Sequence, residues 1–167
     1  MTYPRLIPCL SAILALAVTA ATGLSQAPDA HAALGNEPGR KSGCTLRIHV
    51  DGLRNSKGNV GSVLFSTADG WPEDASKAFR IGPAAIPPGQ SHATATWENL
   101  PPGAYGVAVI HDENSNARLD KNFLGIPKEG FGFANNPRAR FGPAAFSESI
   151  VHVTCPVTEI TIHIQYR

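Results

Sequence analysis

Residues 92–111 read His92-Ala-Thr-Ala-Thr-Trp-Glu-Asn-Leu-Pro-Pro-Gly-Ala-Tyr-Gly-Val-Ala-Val-Ile-His111, and this stretch indicates the fold most directly. In its first half two alanines and a tryptophan alternate with polar residues, the period of two expected of a half-buried β-strand. The segment Asn99-Leu-Pro-Pro-Gly103 has typical turn composition. The apolar run Ala104–His111 follows at once, so we predict two strands joined by a tight turn.

Strand patterns separated by Gly- and Pro-rich turns continue on both sides, and no long helical pattern occurs. The strand patterns at residues 46–50 and 60–66, separated by the turn residues Asn55-Ser-Lys-Gly58, also suggest a hairpin. Seven short strands of this kind predict an all-β fold, a seven-stranded antiparallel β-sandwich. The five further predicted strands cover residues 46–50, 60–66, 78–81, 149–154 and 158–166.

Residues 112–148 form a long stretch without clear periodicity, and loops of this length inside a compact domain are usually functional. The stretch holds five of the 7 phenylalanines. Disordered linkers have low apolar content, so we expect this loop to be folded onto the domain. Its rings either form a small satellite core closing one end of the sandwich or help to line a ligand surface. The candidate surface consists of Phe123, Lys128, Glu129, Phe131, Phe133 and Phe141.

The loop begins with an oxygen-rich turn, His111-Asp-Glu-Asn-Ser-Asn-Ala-Arg-Leu-Asp120. Calcium loops supply side-chain oxygens at alternate positions and a backbone carbonyl at position 7. Ala117 stands where such a loop has its glycine, and Phe123 stands where a bidentate glutamate would close the site. The alternative is an Asx turn, in which Asp and Asn side chains cap their own backbone. The candidate calcium ligands are Asp112, Asn114, Asn116, Arg118 through its carbonyl, and Asp120.

His111 invites a catalytic hypothesis, because it lies next to Asp112. No serine or cysteine occurs in a recognisable nucleophile setting. Adjacent residues on a strand point to opposite faces, so His111 and Asp112 need not interact. An enzyme using His111 with Asp112 or Glu129 is therefore an alternative that the sequence permits but does not require.

The N-terminus has the features of a secretory signal in residues 1–32. Arg5 is the charged start, Leu6–Ala21 is the apolar core, and Ala30-His-Ala32 is an A-x-A cleavage site. An uncleaved membrane anchor is the alternative, but Pro8 and two threonines interrupt the apolar run. We expect an exported, periplasmic or extracellular protein with no membrane span after cleavage. Residues 33–43 are then a flexible lead-in and residues 44–167 one domain.

The chain carries 14 Lys and Arg against 13 Asp and Glu, a formal net charge of +1. This balance argues against nucleic acid or an anionic membrane as the main partner, because either normally requires a basic patch. After signal cleavage two cysteines remain, Cys44 and Cys155. An even count in an exported chain predicts a disulfide, with two unpaired thiols as the alternative.

Two motifs indicate a family, His111-Asp-Glu-Asn114 and Gly125-Ile-Pro-Lys-Glu-Gly-Phe-Gly-Phe133. On these motifs the chain from about Cys44 to Arg167 resembles the bacterial exported family known as domain of unknown function 2141. The resemblance implies no activity, since the family is named for lacking one. The chain departs from the usual family loop at Ser115 and Ala117, where glycines are common, and this departure weakens the calcium hypothesis.

The turn Leu100-Pro-Pro-Gly-Ala-Tyr105 is also similar to transthyretin-like and carboxypeptidase-regulatory-like modules. That similarity implies a seven-stranded sandwich of the prealbumin or immunoglobulin-like kind. Taken together, we expect a binding or structural module with a protein or small-molecule partner and, as a possible cofactor, calcium. The alternatives are the small periplasmic enzyme described above and a carrier of a small apolar ligand.

Overall fold

The computed structural model describes residues 43–138 and 142–167. Their secondary structure is all β, with two short 3₁₀ turns, Ala75–Lys77 and Phe146–Ser149, and no α-helix among them. No helix in these ranges is long and apolar enough to cross a membrane. The predicted signal, residues 33–42 of the lead-in and Phe141 lie outside the described residues. The eight strands are β1 Cys44–Asp51, β2 Asn59–Phe65, β3 Arg80–Ala85, β4 His92–Leu100, β5 Gly103–Asp112, β6 Gly130–Phe133, β7 Ile150–Val153 and β8 Val157–His163.

The strands form two sheets that share one core. The smaller sheet has the order β4-β1-β8, and the larger has the order β3-β2-β5-β6. β7 pairs with the first part of β5 and β6 with its second part, so both lie along the same edge of that strand. Buried apolar residues of both sheets make up the main core, among them Ile48, Val60, Val107 and Ile162. This packing resembles a β-sandwich.

Three features of the strand prediction are wrong. The predicted hairpin of the first two strands does not form, because β1 pairs with β4 and β8 whereas β2 pairs with β3 and β5. The sandwich is not wholly antiparallel, because β1 and β8 run parallel. An eighth strand, β6, lies within the stretch predicted to be an irregular loop. Period-two alternation shows that a strand has a buried face but does not show which strand lies beside it.

β6 has the sequence Gly-Phe-Gly-Phe, and its two residue types face opposite ways. A Cβ atom on Gly132 would lie 2.6 Å from Cγ2 of Ile162, so the inner face of β6 has room only for glycine. Phe131 and Phe133 face outward instead and are buried in a second cluster with Ala108 and Ala144. Ala108 alternates along β5 with the main-core residues Val107 and Val109. The loop therefore covers the outer face of the larger sheet.

The predicted disulfide between Cys44 and Cys155 is confirmed, with the two Cα atoms 4.4 Å apart. It joins the start of β1 to the turn between β7 and β8 and spans 111 residues of sequence. Because β7 and β8 belong to different sheets, the disulfide lies where the two sheets are connected.

Candidate functional site

The candidate site begins at His111, near the end of β5, whose side chain is completely buried (0 % exposed). Its Nε2 lies 3.0 Å from the carbonyl oxygen of Lys57. A carbonyl only accepts hydrogen bonds, so Nε2 carries the proton and, in the neutral ring, Nδ1 is an acceptor. The hydroxyl of Tyr166 lies 2.6 Å from Nδ1 and donates to it. His111 thus links the turn after β1 to the C-terminal segment.

An ion pair borders this buried histidine. Nε of Arg54 donates to a carboxylate oxygen of Glu113 at 2.6 Å, and the same oxygen lies 3.7 Å from Nδ1 of His111. The hydrogen bond from Arg54 lowers the pKa of the Glu113 carboxyl. Burial raises the pKa of the Tyr166 hydroxyl, which therefore stays protonated and able to donate. The Arg54 guanidinium also stacks 4.7 Å from the centre of the Tyr166 ring.

Asp112 holds the turn that follows. The residue is 2 % exposed, and its carboxylate accepts the backbone N–H groups of Asn116 at 3.0 Å and Ala117 at 2.7 Å. Hydrogen bonds to an ionised acceptor are stronger than those between neutral groups. The turn is therefore closed by its own first residue, in the manner of the predicted Asx turn.

Glu129 closes the turn from the other side. One carboxylate oxygen accepts the backbone N–H of Glu113 and the other accepts that of Asp120, each at 3.0 Å. Glu129 is buried, so it was wrongly placed on the predicted ligand surface. A buried carboxylate needs such donors, because an unpaired charge would be costly to remove from water. The two carboxylates together make the base of the loop rigid.

The remaining side-chain oxygens of the predicted calcium set, those of Asn114, Asn116 and Asp120, are also engaged within the turn. Oδ1 of Asn114 accepts the N–H of Asn116, and Oδ1 of Asn116 accepts the N–H of Arg118. The carboxylate of Asp120 accepts the side-chain amides of both asparagines. The described part of the chain holds no group of three or more His, Cys, Asp or Glu side chains placed to bind a metal ion. Hydrogen bonds to backbone N–H groups and between side chains account for these residues without a cation, and calcium binding stays a prediction.

Two residues of the turn have left-handed backbone conformations. The φ angle is 58° at Ser115 and 61° at Ala117. Residues with a Cβ atom rarely adopt this conformation, whereas glycine adopts it freely. Glycine at either position would adopt this conformation without the steric cost of a Cβ atom.

Beyond the base, the chain forms a small hairpin at residues 121–127, which we call the apolar tip. An isolated β-bridge between Lys121 and Pro127 closes it. Three large apolar side chains point into solvent here, with exposures of 95 % for Phe123, 68 % for Leu124 and 41 % for Ile126. Contiguous exposed apolar surface on a rigid support commonly marks an interaction site. The sequence prediction included Phe123 but missed Leu124 and Ile126.

Some residues of the predicted ligand surface are exposed in the structure and others are buried. Phe123 and Lys128 are exposed, whereas Phe131 and Phe133 are buried in the second cluster and do not form a surface. The satellite-core alternative describes these two rings correctly, although they cover a sheet face and do not close one end of the sandwich. Aromatic composition alone did not distinguish the two roles, because both predict a cluster of rings.

The geometry does not bring the predicted catalytic pair together. His111 is hydrogen-bonded to Tyr166 and Lys57, whereas the carboxylates of Asp112 and Glu129 accept backbone N–H groups. Sequence reasoning missed Tyr166 because it lies 55 residues from His111 along the chain. No local pattern signals a contact of that range.

Comparison with known proteins identifies the family. Residues 48–161 match the model of the family described as "Uncharacterized protein conserved in bacteria (DUF2141)". The chain belongs to this family. The match includes β2 to β7, the turn from His111 to Asp120 and the apolar tip, but not Tyr166, and it confirms the resemblance seen in the two sequence motifs. No curated protein and no solved structure matches the chain.

Proposed function

We propose that this member of the DUF2141 family is a binding module that contacts its partner through the apolar tip. The observation that carries the proposal is the exposure of Phe123, Leu124 and Ile126 side by side on one hairpin. Burial of such side chains against a partner supplies most of the free energy of many interfaces. The partner thus gains apolar contact from the part of the loop that does not contribute to the domain's own core.

Rigidity of the support favours the same function. The carboxylates of Asp112 and Glu129 hold the turn from both sides, and Lys128 N–H donates to the carbonyl of Asp120 at 2.8 Å. A preformed contact surface loses little conformational entropy on binding. His111 and Tyr166 extend this support into the domain, so in our proposal they position the loop and do not take part in chemistry.

Within the proposal, the domain is an exported sandwich of the prealbumin kind, to which β6 adds an eighth strand. The two sheets around one core and the Cys44–Cys155 disulfide support this assignment. Disulfides persist in oxidising compartments, which agrees with the predicted signal of residues 1–32. N-terminal sequencing of the protein from the periplasmic fraction tests export; a mature chain starting near residue 33 is the expected result.

Photocrosslinking tests the binding function. A photoreactive phenylalanine analogue at position 123 is compared with the same analogue at Ile81, a control side chain that is 52 % exposed and lies on β3. Irradiation of cells that export the protein should give protein or lipid adducts at position 123 and far fewer at position 81. Equal yields at both positions, or no adduct at position 123, would refute the proposed function.

A further inference from the structure

We propose that the partner of the apolar tip is a lipid bilayer, and that Phe123, Leu124 and Ile126 insert at the boundary between its headgroups and acyl chains. This inference rests on the proposed function, because it names the class of partner that the same tip contacts. Two observations support a bilayer in preference to a protein pocket: the hydrogen bonding of the tip backbone and the cations at its base.

Four backbone N–H groups of the tip, those of Asn122, Leu124, Gly125 and Ile126, are paired within the tip itself. Oδ1 of Asn122 accepts the N–H groups of Leu124 at 2.9 Å and Ile126 at 3.0 Å. The N–H of Asn122 donates to the carbonyl of Ile126, and that of Gly125 donates to the carbonyl of Asn122. An apolar phase offers no partners, so a segment that enters it must pair its polar groups internally. A protein pocket would make no such demand, because a pocket supplies partners of its own.

Three cations lie where the tip meets its base. Lys121 and Lys128 are on opposite arms of the hairpin, and Arg118 precedes them in the turn; all three side chains are exposed. Lys121 also forms an ion pair with Glu73 at 2.7 Å. Long basic side chains beside an apolar surface extend their charged ends toward lipid phosphates while their stems cover apolar area.

The net charge of +1 argued against an anionic membrane as main partner. Attraction to an anionic membrane by charge alone needs a large basic patch. The apolar tip supplies a different attraction, the removal of apolar surface from water. We therefore expect binding to neutral lipid as well, with a modest increase on anionic lipid and a modest weakening by salt.

Vesicle flotation tests the inference with the full exported, disulfide-bonded chain. The probes are vesicles of phosphatidylcholine alone and of phosphatidylcholine with a minority of phosphatidylglycerol. The wild-type chain should float with both. Phe123→Ser should lower the partition coefficient about 10- to 100-fold, the effect of withdrawing one large apolar side chain from the bound state. Ile81→Ser is the matched control and should partition like the wild type.

Two further measurements make the result specific. Lys121→Gln with Lys128→Gln should remove the preference for anionic vesicles and leave binding to neutral vesicles unchanged. Phe123→Trp should show a blue-shifted emission on adding vesicles, and brominated lipids should quench it. An equal thermal midpoint for Phe123→Ser and wild type confirms that the variant is folded, as expected for a side chain that is 95 % exposed.

The outcomes separate the inference from the proposed function. Absence of flotation, or equal partitioning of Phe123→Ser and Ile81→Ser, overturns the bilayer. If photocrosslinking at position 123 then gives a protein adduct, the binding function stands and the partner is a protein. If it gives no adduct, both proposals fail.

Discussion

Asp112→Asn should destabilise the folded protein by about 2–3 kcal/mol, equally in calcium and in chelator. Asp112 is almost fully buried, and its two carboxylate oxygens accept the N–H groups of Asn116 and Ala117 at 3.0 and 2.7 Å. A hydrogen bond to a charged group contributes about 1.5–3 kcal/mol. The asparagine side chain retains one acceptor oxygen, now uncharged, and presents an NH₂ group to the other N–H. One bond is therefore lost and the other weakened.

Urea unfolding at neutral pH, with the free energy extrapolated to water, measures the change. The thermal midpoint should fall by about 10 °C, since a domain of this size shifts by roughly 3–5 °C per kcal/mol. Asp69→Asn is the matched control, because the Asp69 carboxylate is exposed and makes only a surface ion pair with Lys77. Loss of such a pair costs under about 1 kcal/mol.

The calcium hypothesis predicts a different result for the same variant. If calcium bound the loop, it would stabilise the folded state by linkage, by about 2.7 kcal/mol at a hundredfold excess over the dissociation constant. The penalty of Asp112→Asn would then appear mainly in the presence of calcium. A change below about 0.5 kcal/mol in chelator would refute the capping role derived from the structure.

Four further results are expected. Tyr166→Phe should cost about 2 kcal/mol in urea unfolding, because buried His111 loses its hydrogen-bond donor. In the wild type, the raised pKa of Tyr166 adds stability below about pH 10, and this stability is lost as the pH rises through the folded-state pKa. The Tyr166→Phe variant should lack this decline in stability at alkaline pH. Ala117→Gly should raise stability by about 0.5–1 kcal/mol by removing the cost of a positive φ; an unchanged unfolding midpoint would contradict this. Phe131→Ala should cost about 3–4 kcal/mol in the same assay, whereas Phe123→Ala should change stability by less than about 0.5 kcal/mol. Reducing the disulfide, which adds two electrons and two protons, should raise the intact mass by about two hydrogen atoms and lower stability by up to about 4–5 kcal/mol.

The candidate site was only partly accessible from the sequence. The oxygen-rich turn was located correctly, and the Asx-turn alternative describes the observed hydrogen bonds of Asp112. Carboxylate and amide oxygens serve equally as metal ligands or backbone caps, so residue type alone did not choose between calcium and capping. The tip could have been found from Asn122-Phe-Leu-Gly125, since an asparagine followed three residues later by glycine is typical of a turn.

The sequence by itself determined the strand-rich class, most of the strand positions and the disulfide pairing. Period-two alternation and Gly- and Pro-rich turns are local properties, and only two cysteines follow the predicted signal. Only the tertiary structure decided which strands pair and which side chains meet or are buried. Examples are the parallel pairing of β1 with β8, the hydrogen bond between His111 and Tyr166, and the burial of Phe131 while Phe123 remains exposed. These depend on contacts between residues far apart in sequence, which exist only once the sheets have packed and which local patterns do not encode.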